Sequence, residues 1–278
     1  MNGNKRNVGL VIPTANNSFF ANLADEITSN LSKKGYHTQV FSSLHNAEKE
    51  KEIIRMLPHI GVNGVICVSG LSECPSDLFV EDYPVVWVDR QPKYAEKYPW
   101  VSNDDSKAME QATGYLLRKG CRNILLLPGY TAEHQEAPRV SGYKMAFKTH
   151  GILCNEEYIL HRQGVRASEV ETEELIRGIL RDGRAVDGII TSSDRSAFGA
   201  MKALTSVGYY VPEDVRMICF DNSPYTAMSM PSITAIDRNP MLIAMEAVRM
   251  ITGMMEGTLC GETHVTVPVS LIIRDFVR

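Results

Sequence analysis

The chain has 278 residues, of which 44% are hydrophobic and 22% charged, and its 29 Lys and Arg against 33 Asp and Glu give a net charge of -4. This length corresponds to about two domains, and the composition is ordinary for a soluble globular protein. The longest basic run is Lys33-Lys34, which excludes the strongly basic footprint of a phosphate-binding surface.

The first half of the chain alternates short apolar runs with amphipathic segments. We predict strands at residues 8–12, 37–42, 64–68 and 85–89 and a brief one at Val101. Between the first two strands, Leu23, Ile27 and Leu31 recur at four-residue spacing before Gly35, which predicts a helix with a glycine stop. Strands that read as continuous apolar runs are typical of a parallel sheet covered by helices on both faces.

The second half repeats this layout. Residues 123–128 echo 7–13, and residues 186–190 echo 62–66 at a similar distance. We predict strands at 124–128, 188–191 and 216–220, a polar loop at 129–138, helices starting at Arg139, Ser168, Asp194 and Pro240, and one terminal strand over 265–274 bent at Pro268. Two copies of one layout predict an α/β fold of two similar Rossmann-like lobes, each with a parallel sheet.

Several classes of chemistry have no signature in this sequence. The motifs GxxxxGK[ST], GxGxxG, HExxH and GxSxG are absent. The seven histidines are dispersed without metal-ligand spacing, and the six cysteines are scattered without a CxxC pair. We therefore expect no metal, no cofactor, no enzymatic activity, and free thiols in a reducing compartment.

No apolar stretch of about 18 residues occurs, and the N-terminus lacks the apolar core of a signal peptide. We therefore expect a cytoplasmic protein, unless a leader was removed from these residues.

Polar and aromatic residues follow the predicted strands and are candidates for a binding site. In open α/β sheets, ligands bind beyond the carboxyl ends of the strands, so the lobes would present these residues to one crevice if those ends face each other. Carboxylates and guanidinium groups suit a polyhydroxylated ligand, and an aromatic face covers the apolar face of its ring. The candidates are Phe19, Phe20, Asp89, Arg90, Arg139, Ser193, Asp194 and Asp221.

Each candidate also has a purely structural interpretation. Phe19 and Phe20 could be core residues at a helix start, and Asp194 could be a helix N-cap. Asp89 and its neighbour could form an exposed turn pair, and Asp221 could open a turn. For Arg139, a position at a helix start is unfavourable for a cation in the helix dipole, which favours a specific partner.

The chain resembles the effector-binding region of LacI/GalR-family transcriptional regulators over essentially its whole length. The residues that carry the resemblance include 8–13 with Ser18-Phe19-Phe20-Ala21, Val88-Asp89-Arg90, Arg139-Val140-Ser141-Gly142-Tyr143, Ser193-Asp194, Val211-Pro212-Glu213-Asp214-Val215 with Phe220-Asp221-Asn222, and Pro231-Ser232-Ile233-Thr234. The combination of the VPEDV and FDN segments is the most specific feature.

The resemblance implies a periplasmic-binding-protein-like fold of type I with a small effector, most often a sugar, in the cleft. It implies that Phe20 stacks on the effector, that Arg139 and Asp221 hold its polar groups, and that Asp89, Ser193 and Asp194 add hydrogen bonds. Arg238 holds a position from which relatives reach the cleft. The effector-binding residues expected here are Phe19, Phe20, Asp89, Arg139, Ser193, Asp194, Asp221 and Arg238.

The resemblance also implies three hinge crossovers. We expect an N-terminal lobe of residues 5–103 and 237–265 and a C-terminal lobe of residues 104–236 and 266–278. A helix-turn-helix domain is expected before Asn7 and is absent from this sequence. Operator DNA and a homodimer are the implied macromolecular partners, and the methionines Met241, Met245 and Met250 agree with an apolar dimer face.

The leading interpretation is an allosteric effector-sensing and dimerisation domain of a transcriptional repressor. Effector binding would shift the lobes and thereby the DNA-reading headpieces. A solute-binding protein of a sugar transporter shares the fold and is the alternative. An enzyme acting on a small sugar is a third possibility, against which the lack of a paired nucleophile and base argues.

Overall fold

The computed structural model describes residues 6–129, 133–161 and 168–277, with the side chains of residues 133–136 left outside the description. The chain divides into two compact units. Unit 1 consists of Met1–Asn103 and Asn239–Pro268, and unit 2 of Asp104–Arg238 and Val269–Arg278. The chain therefore crosses from one unit to the other at three places.

Eleven strands occur in the described part of the chain. In chain order they are β1 Asn7–Ile12, β2 His37–Ser42, β3 Gly64–Cys67, β4 Val85–Val88, β5 Trp100–Asn103, β6 Ile124–Leu126, β7 Gly188–Thr191, β8 Arg216–Phe220, β9 Thr234–Asp237, β10 His264–Val267 and β11 Ser270–Ile272.

Eight α-helices connect these strands within the same described ranges. They are α1 Ser18–Lys33, α2 Ala47–Met56, α3 Asp105–Arg118, α4 Glu133–Thr149, α5 Glu169–Arg181, α6 Asp194–Ser206, α7 Pro224–Met228 and α8 Pro240–Glu256. Short 3-10 turns cover Leu57–Ile60, Glu156–Tyr158 and Asp275–Val277. None of the helices described is long and apolar enough to cross a membrane.

Unit 1 is built on a six-stranded parallel sheet in the order β10-β5-β4-β3-β1-β2. Helices α1 and α8 cover one face, where Leu23 and Ile27 pack with Ile243. The other face buries Ile54 and Trp87 in a second cluster. Strands buried on both faces explain why β1, β3 and β4 read as continuous apolar runs.

Unit 2 holds a five-stranded sheet in the order β11-β9-β8-β7-β6. All neighbours in it are parallel except β11, which pairs antiparallel with β9 at the edge. The helix pairs α3/α4 and α5/α6 pack closely. Close approach is possible because glycine stands at the contact: an added Cβ on Gly142 would lie 2.0 Å from Ser106 O.

The predicted α/β class with two sheets of mainly parallel strands is confirmed, but three elements differ from the sequence predictions. Helix α4 begins at Glu133 and not at Arg139, so residues 133–138 are not a loop. Proline at position 138 predicts a helix boundary, because it lacks an N–H and crowds the preceding turn. The helix nevertheless continues through it and buries Tyr143 and Phe147 in the core of unit 2.

The second difference concerns the C-terminal segment. The single strand predicted over 265–274 is wrong, because this segment forms two strands that belong to two different sheets. Strand β10 pairs with β5 in unit 1, whereas β11 pairs with β9 in unit 2. Pro268 lies between them and cannot donate to a ladder, which is consistent with a break at this residue. Strand β9 was not predicted, since its four residues follow directly on a proline-containing loop.

Candidate functional site

In unit 2, the candidate residues lie at the carboxyl ends of neighbouring parallel strands. Asp221 follows β8 directly, and Arg238 follows β9. These two strands pair in parallel with Phe220 opposite Ile236, so the residues that follow them emerge side by side. Ser193 follows β7, the neighbour of β8 on its other side. The sheet thus positions these polar side chains along one edge.

Arg139 reaches the same edge from helix α4. Its Nε lies 2.8 Å from Asp105 Oδ2, and its Nη1 donates to the carbonyl oxygen of Pro128 at 3.1 Å. The guanidinium also lies over the ring of Phe220, 4.0 Å from the centroid. Arg139 is 8% exposed, so these contacts hold it in one orientation. The predicted helix start at Arg139 is wrong, because α4 starts six residues before this arginine, but Asp105 is a specific anionic partner of the kind predicted.

Asp221 and Arg238 form a buried ion pair. The distance from Arg238 Nε to Asp221 Oδ1 is 2.7 Å. Next to this pair, Asn222 Nδ2 donates to Asp237 Oδ2 at 3.1 Å, and Arg274 Nη2 donates to Asn222 Oδ1 at 2.7 Å. The strand ends therefore carry alternating acceptors and donors, which is the pattern that suits a ligand rich in hydroxyl groups.

Ser193 and Asp194 begin helix α6. Ser193 is the N-cap, and its hydroxyl accepts from the backbone N–H of Ser196 at 3.2 Å. Asp194 is the first helical residue, is 2% exposed, and accepts from the backbone N–H of Arg195 at 2.7 Å. The cap role considered for Asp194 therefore belongs to Ser193. A carboxylate in the first turn is favourable in the field of the helix.

In unit 1, Phe19 and Phe20 are both buried. Their rings meet edge to face with centroids 5.6 Å apart, and both belong to the core under α1 and α8. The guanidinium of Arg90 lies over Phe20, 5.4 Å from the centroid. Arg90 Nε lies 3.4 Å from Asp89 Oδ2. The structure thus brings Phe20 of α1 together with Arg90, which pairs with Asp89 after β4, while Phe19 contacts Phe20 in the core.

Sequence reasoning missed a buried carboxylate in unit 1, that of Glu50. It lies on α2 and is 0% exposed. Its oxygens accept from the hydroxyl of Ser69 and from the backbone N–H of Gly70, just beyond β3. Burial raises the pKa of Glu50, although these hydrogen bonds and the charge of Arg90 oppose the shift. In the sequence, Glu50 looks like one more charge of a polar helix.

Asp105, the partner of Arg139, was also missed, since nothing in the sequence separates it from the other acidic residues of a first helical turn. Across the described residues, no cluster of three or more metal-ligating side chains occurs. The six cysteines are free thiols, and four of them are buried.

Comparison with known proteins gives a consistent result. A family model described as a periplasmic binding protein-like domain matches residues 113–275, more than half of the chain. The ribose operon repressor of Halalkalibacterium halodurans is 26% identical over 275 residues, which are 98% of this chain and 79% of that repressor.

Solved structures agree in fold. The transcription regulator CcpA of Lactococcus lactis superposes with a TM-score of 0.87 at 22% identity, covering 98% of this chain and 99% of that one. A periplasmic binding protein/LacI transcriptional regulator from Alkaliphilus metalliredigens, complexed with D-xylulofuranose, gives a TM-score of 0.84 at 24% identity, with 98% and 99% covered.

Proposed function

This chain belongs to the periplasmic binding protein-like domain family, and we propose that it is the effector-sensing domain of a LacI-type transcriptional regulator. Its homologues are LacI-family regulators, and the expected resemblance to that family is confirmed. The proposed effector is a small hydroxylated molecule, a sugar or sugar derivative. In support, one regulator of the same fold was crystallised with D-xylulofuranose.

The observation that carries the proposal is the polar edge of unit 2, formed by Arg139, Ser193, Asp194, Asp221 and Arg238. All five residues are at most 8% exposed. Charged groups are rarely this buried unless they are paired or serve a site. Here they gather where the three neighbouring strands β7, β8 and β9 of one sheet end, which is where open α/β sheets bind ligands.

We assign these residues to binding without chemical turnover. The guanidinium groups of Arg139 and Arg238 are each held against a carboxylate at 2.8 and 2.7 Å, an arrangement that fixes donors and acceptors in space. Reversible sensing needs this preorganisation, because rigid groups lose little entropy when the ligand arrives. The homologues are transcriptional regulators rather than enzymes.

The proposal includes a homodimer, operator DNA as the regulated partner through a separate DNA-reading domain, and a cytoplasmic location. Met241 and Met245 are 54% and 49% exposed on α8 and agree with an apolar contact face, whereas Met250 is buried in the core of unit 1 and takes no part in such a face. Coupling between effector and DNA would be reciprocal, so each would change the affinity of the other by the same factor.

A thermal-shift screen of neutral sugars and sugar phosphates tests the effector proposal. A ligand at 100 times its dissociation constant stabilises the folded chain by about 2.7 kcal/mol. We expect at least one compound to do so, and we expect Arg139→Ala and Asp221→Asn to lose that stabilisation. Asp182→Asn, at an exposed residue of unit 2, is the matched control and should retain it.

Two results would contradict the proposal. One is a screen in which no compound of either class shifts the unfolding temperature. The other is a shift that Arg139→Ala and Asp221→Asn both retain in full, because the polar edge would then not contribute to binding.

A further inference from the structure

Unit 1 contains a cavity that none of the proposed effector residues lines. It has a volume of about 250 Å³, and its walls come from the end of α2, the 3-10 turn Leu57–Ile60 and the segment 77–83. The turn leads into β3 and the segment leads into β4. The cavity therefore lies toward the amino ends of these strands, whereas the effector proposal concerns residues at the carboxyl ends.

The floor of this cavity is apolar and partly aromatic. The rings of Phe79 and Tyr83 are nearly parallel, with centroids 6.4 Å apart. The hydroxyl of Tyr83 donates to the carbonyl oxygen of Val62 at 3.0 Å, so it is already satisfied. An apolar cavity of about 150 Å³ takes up benzene, so this one has room for a phenyl ring. The apolar lining residues are Ile54, Pro58, Leu78, Phe79, Val80 and Tyr83.

The rim of the cavity carries one cation and one anion that solvent reaches. Arg55 Nη2 lies 3.3 Å from Asp77 Oδ2, and the two side chains are 49% and 74% exposed. Both line the cavity, together with the exposed His59. A guanidinium has five N–H donors and a carboxylate has about four acceptor sites. Their mutual contact uses one of each, so both groups retain bonding capacity for a ligand.

These two charges limit the class of ligand. A molecule with a single charge would be attracted by one group of the rim and repelled by the other. An α-amino acid carries a carboxylate and an ammonium on one carbon, so the first can pair with Arg55 while the second pairs with Asp77. Its side chain is then free to cover the apolar floor, and an aromatic ring buries the most apolar surface there.

We propose that this cavity binds a free α-amino acid with an aromatic side chain, whose ring lies on the apolar floor and whose two charged groups pair with Arg55 and Asp77. The site does not depend on the effector proposal, because it uses none of the effector residues. It gives the chain a second small-molecule ligand of a different chemical class.

Calorimetric titration of the whole 278-residue chain with four related probes tests the assignment. The probes are L-phenylalanine, 3-phenylpropionate, which lacks the ammonium, 2-phenylethylamine, which lacks the carboxylate, and L-alanine, which lacks the ring. We expect L-phenylalanine to bind, and each singly charged probe to bind about fivefold more weakly, the effect of one exposed ion pair. L-Alanine should bind at least about tenfold more weakly, because it buries no ring.

Two substitutions at the rim assign each charge of the ligand to its partner. Asp77→Asn should weaken L-phenylalanine about fivefold and should not weaken 3-phenylpropionate, which has no ammonium to lose a contact. Arg55→Gln should weaken L-phenylalanine to a similar extent and should not weaken 2-phenylethylamine. Urea unfolding shows whether each variant is folded, which we expect at such exposed positions.

Matched variants separate the cavity from general effects of charge and surface polarity. Glu48→Gln and Lys51→Gln break an ion pair on the same helix that does not line the cavity, and both should leave the affinity unchanged. Val80→Ser removes an apolar wall that is 60% exposed and should weaken L-phenylalanine. Val170→Ser makes the same change at a residue of α5 that is 53% exposed, and it should have no effect.

The possible results fall on either side of the proposal. Losses in Asp77→Asn and Arg55→Gln that follow the charge of the probe support it. No binding of L-phenylalanine overturns it. Equal affinities for L-phenylalanine and 3-phenylpropionate also overturn it, because the ammonium would then contribute nothing. Losses in Asp77→Asn that are no larger than those in Glu48→Gln overturn it as well, because the amino acid would then bind elsewhere.

Discussion

Arg238 Nε lies 2.7 Å from Asp221 Oδ1, and the two side chains are only 4% and 10% exposed. Two parallel neighbours, β9 and β8, deliver them to the same edge of the sheet. Both charges have been removed from water, so each depends on the other and on nearby polar groups for compensation. This relationship makes the pair a structural element of unit 2 as well as a part of its proposed site.

Asp221→Ala should therefore destabilise the fold strongly. Removal of one partner leaves the buried guanidinium of Arg238 without this carboxylate, a change that costs about 3–5 kcal/mol in buried pairs. Urea unfolding of the variant measures the loss. Asp77→Ala is the control, because the Arg55–Asp77 pair is 49% and 74% exposed and exposed pairs contribute about 1 kcal/mol or less. Equal losses in the two variants would show that burial does not govern the pair.

Arg139→Lys should lower the free energy of unfolding although the charge is kept. Lysine can still pair with Asp105, but it has no planar face to lie over Phe220 and no second nitrogen for the carbonyl of Pro128. A desolvated cation–π contact alone contributes about 2 kcal/mol. Chemical denaturation of the variant measures the change.

The control for this substitution is Arg195→Lys. Arg195 bonds to Glu169 at a partly exposed position, with side-chain exposures of 34% and 50%, so its replacement should change stability by only a few tenths of a kcal/mol. A lysine at position 139 that leaves stability unchanged would mean that the contact with Phe220 contributes nothing.

The sequence allowed much of the sheet structure to be predicted, for a physical reason. The strands His37–Ser42, Gly188–Thr191 and Arg216–Phe220 have the predicted bounds, because each is a short apolar or β-prone run with polar or glycine residues at its ends. Strand Thr234–Asp237 has too few residues and too weak a boundary to be recognised alone. It forms because β8 and β11 offer it partners on both sides.

The site was predictable at its strand ends and not in its pairings. Asp221 could be placed because it directly follows an apolar run. The contact between Arg139 and Asp105 joins residues 34 positions apart on two helices, and no local pattern encodes it. The same holds for Glu50, whose burial depends on the loop after β3, 19 and 20 positions further along.

Glu50→Gln should change how stability depends on pH. Burial raises the pKa of Glu50 in the folded chain above its ordinary value of 4.5. At pH values between 4.5 and the raised pKa of the folded state, the folded chain binds more protons than the unfolded chain. Ionisation of Glu50 therefore lowers the stability of the fold as the pH rises above about 4.5. Glutamine cannot ionise, and its amide can still bond to Ser69 and Gly70. The variant should therefore gain stability relative to the native chain with rising pH.

Urea unfolding at intervals from pH 4 to pH 8 measures this difference. Glu48→Gln is the control, because the exposed carboxylate of Glu48 has a pKa lowered by its hydrogen bond to Lys51. A lowered pKa gives the opposite sign, with stability that is lost as the pH falls. A difference between Glu50→Gln and the native chain that stays constant across this range would contradict the buried, ionisable role.

Gly142→Ala and Gly199→Ala should each disrupt a helix–helix contact in unit 2. A Cβ at Gly142 would lie 2.0 Å from Ser106 O on α3, and one at Gly199 would lie 2.2 Å from Glu169 O on α5. Backbone atoms cannot move aside without separating the helices, so we expect losses of about 2 kcal/mol or more in the free energy of unfolding.

Gly178, on α5, has no atom within 4 Å of such a Cβ, and Gly178→Ala should instead stabilise by about 0.5–1 kcal/mol through higher helix propensity. All three substitutions add the same methyl group to a helix, so the sign of the change in the free energy of unfolding reports the contact distance at each glycine. A loss of stability in Gly178→Ala similar to that in the other two variants would show that helix propensity and packing are not separable here.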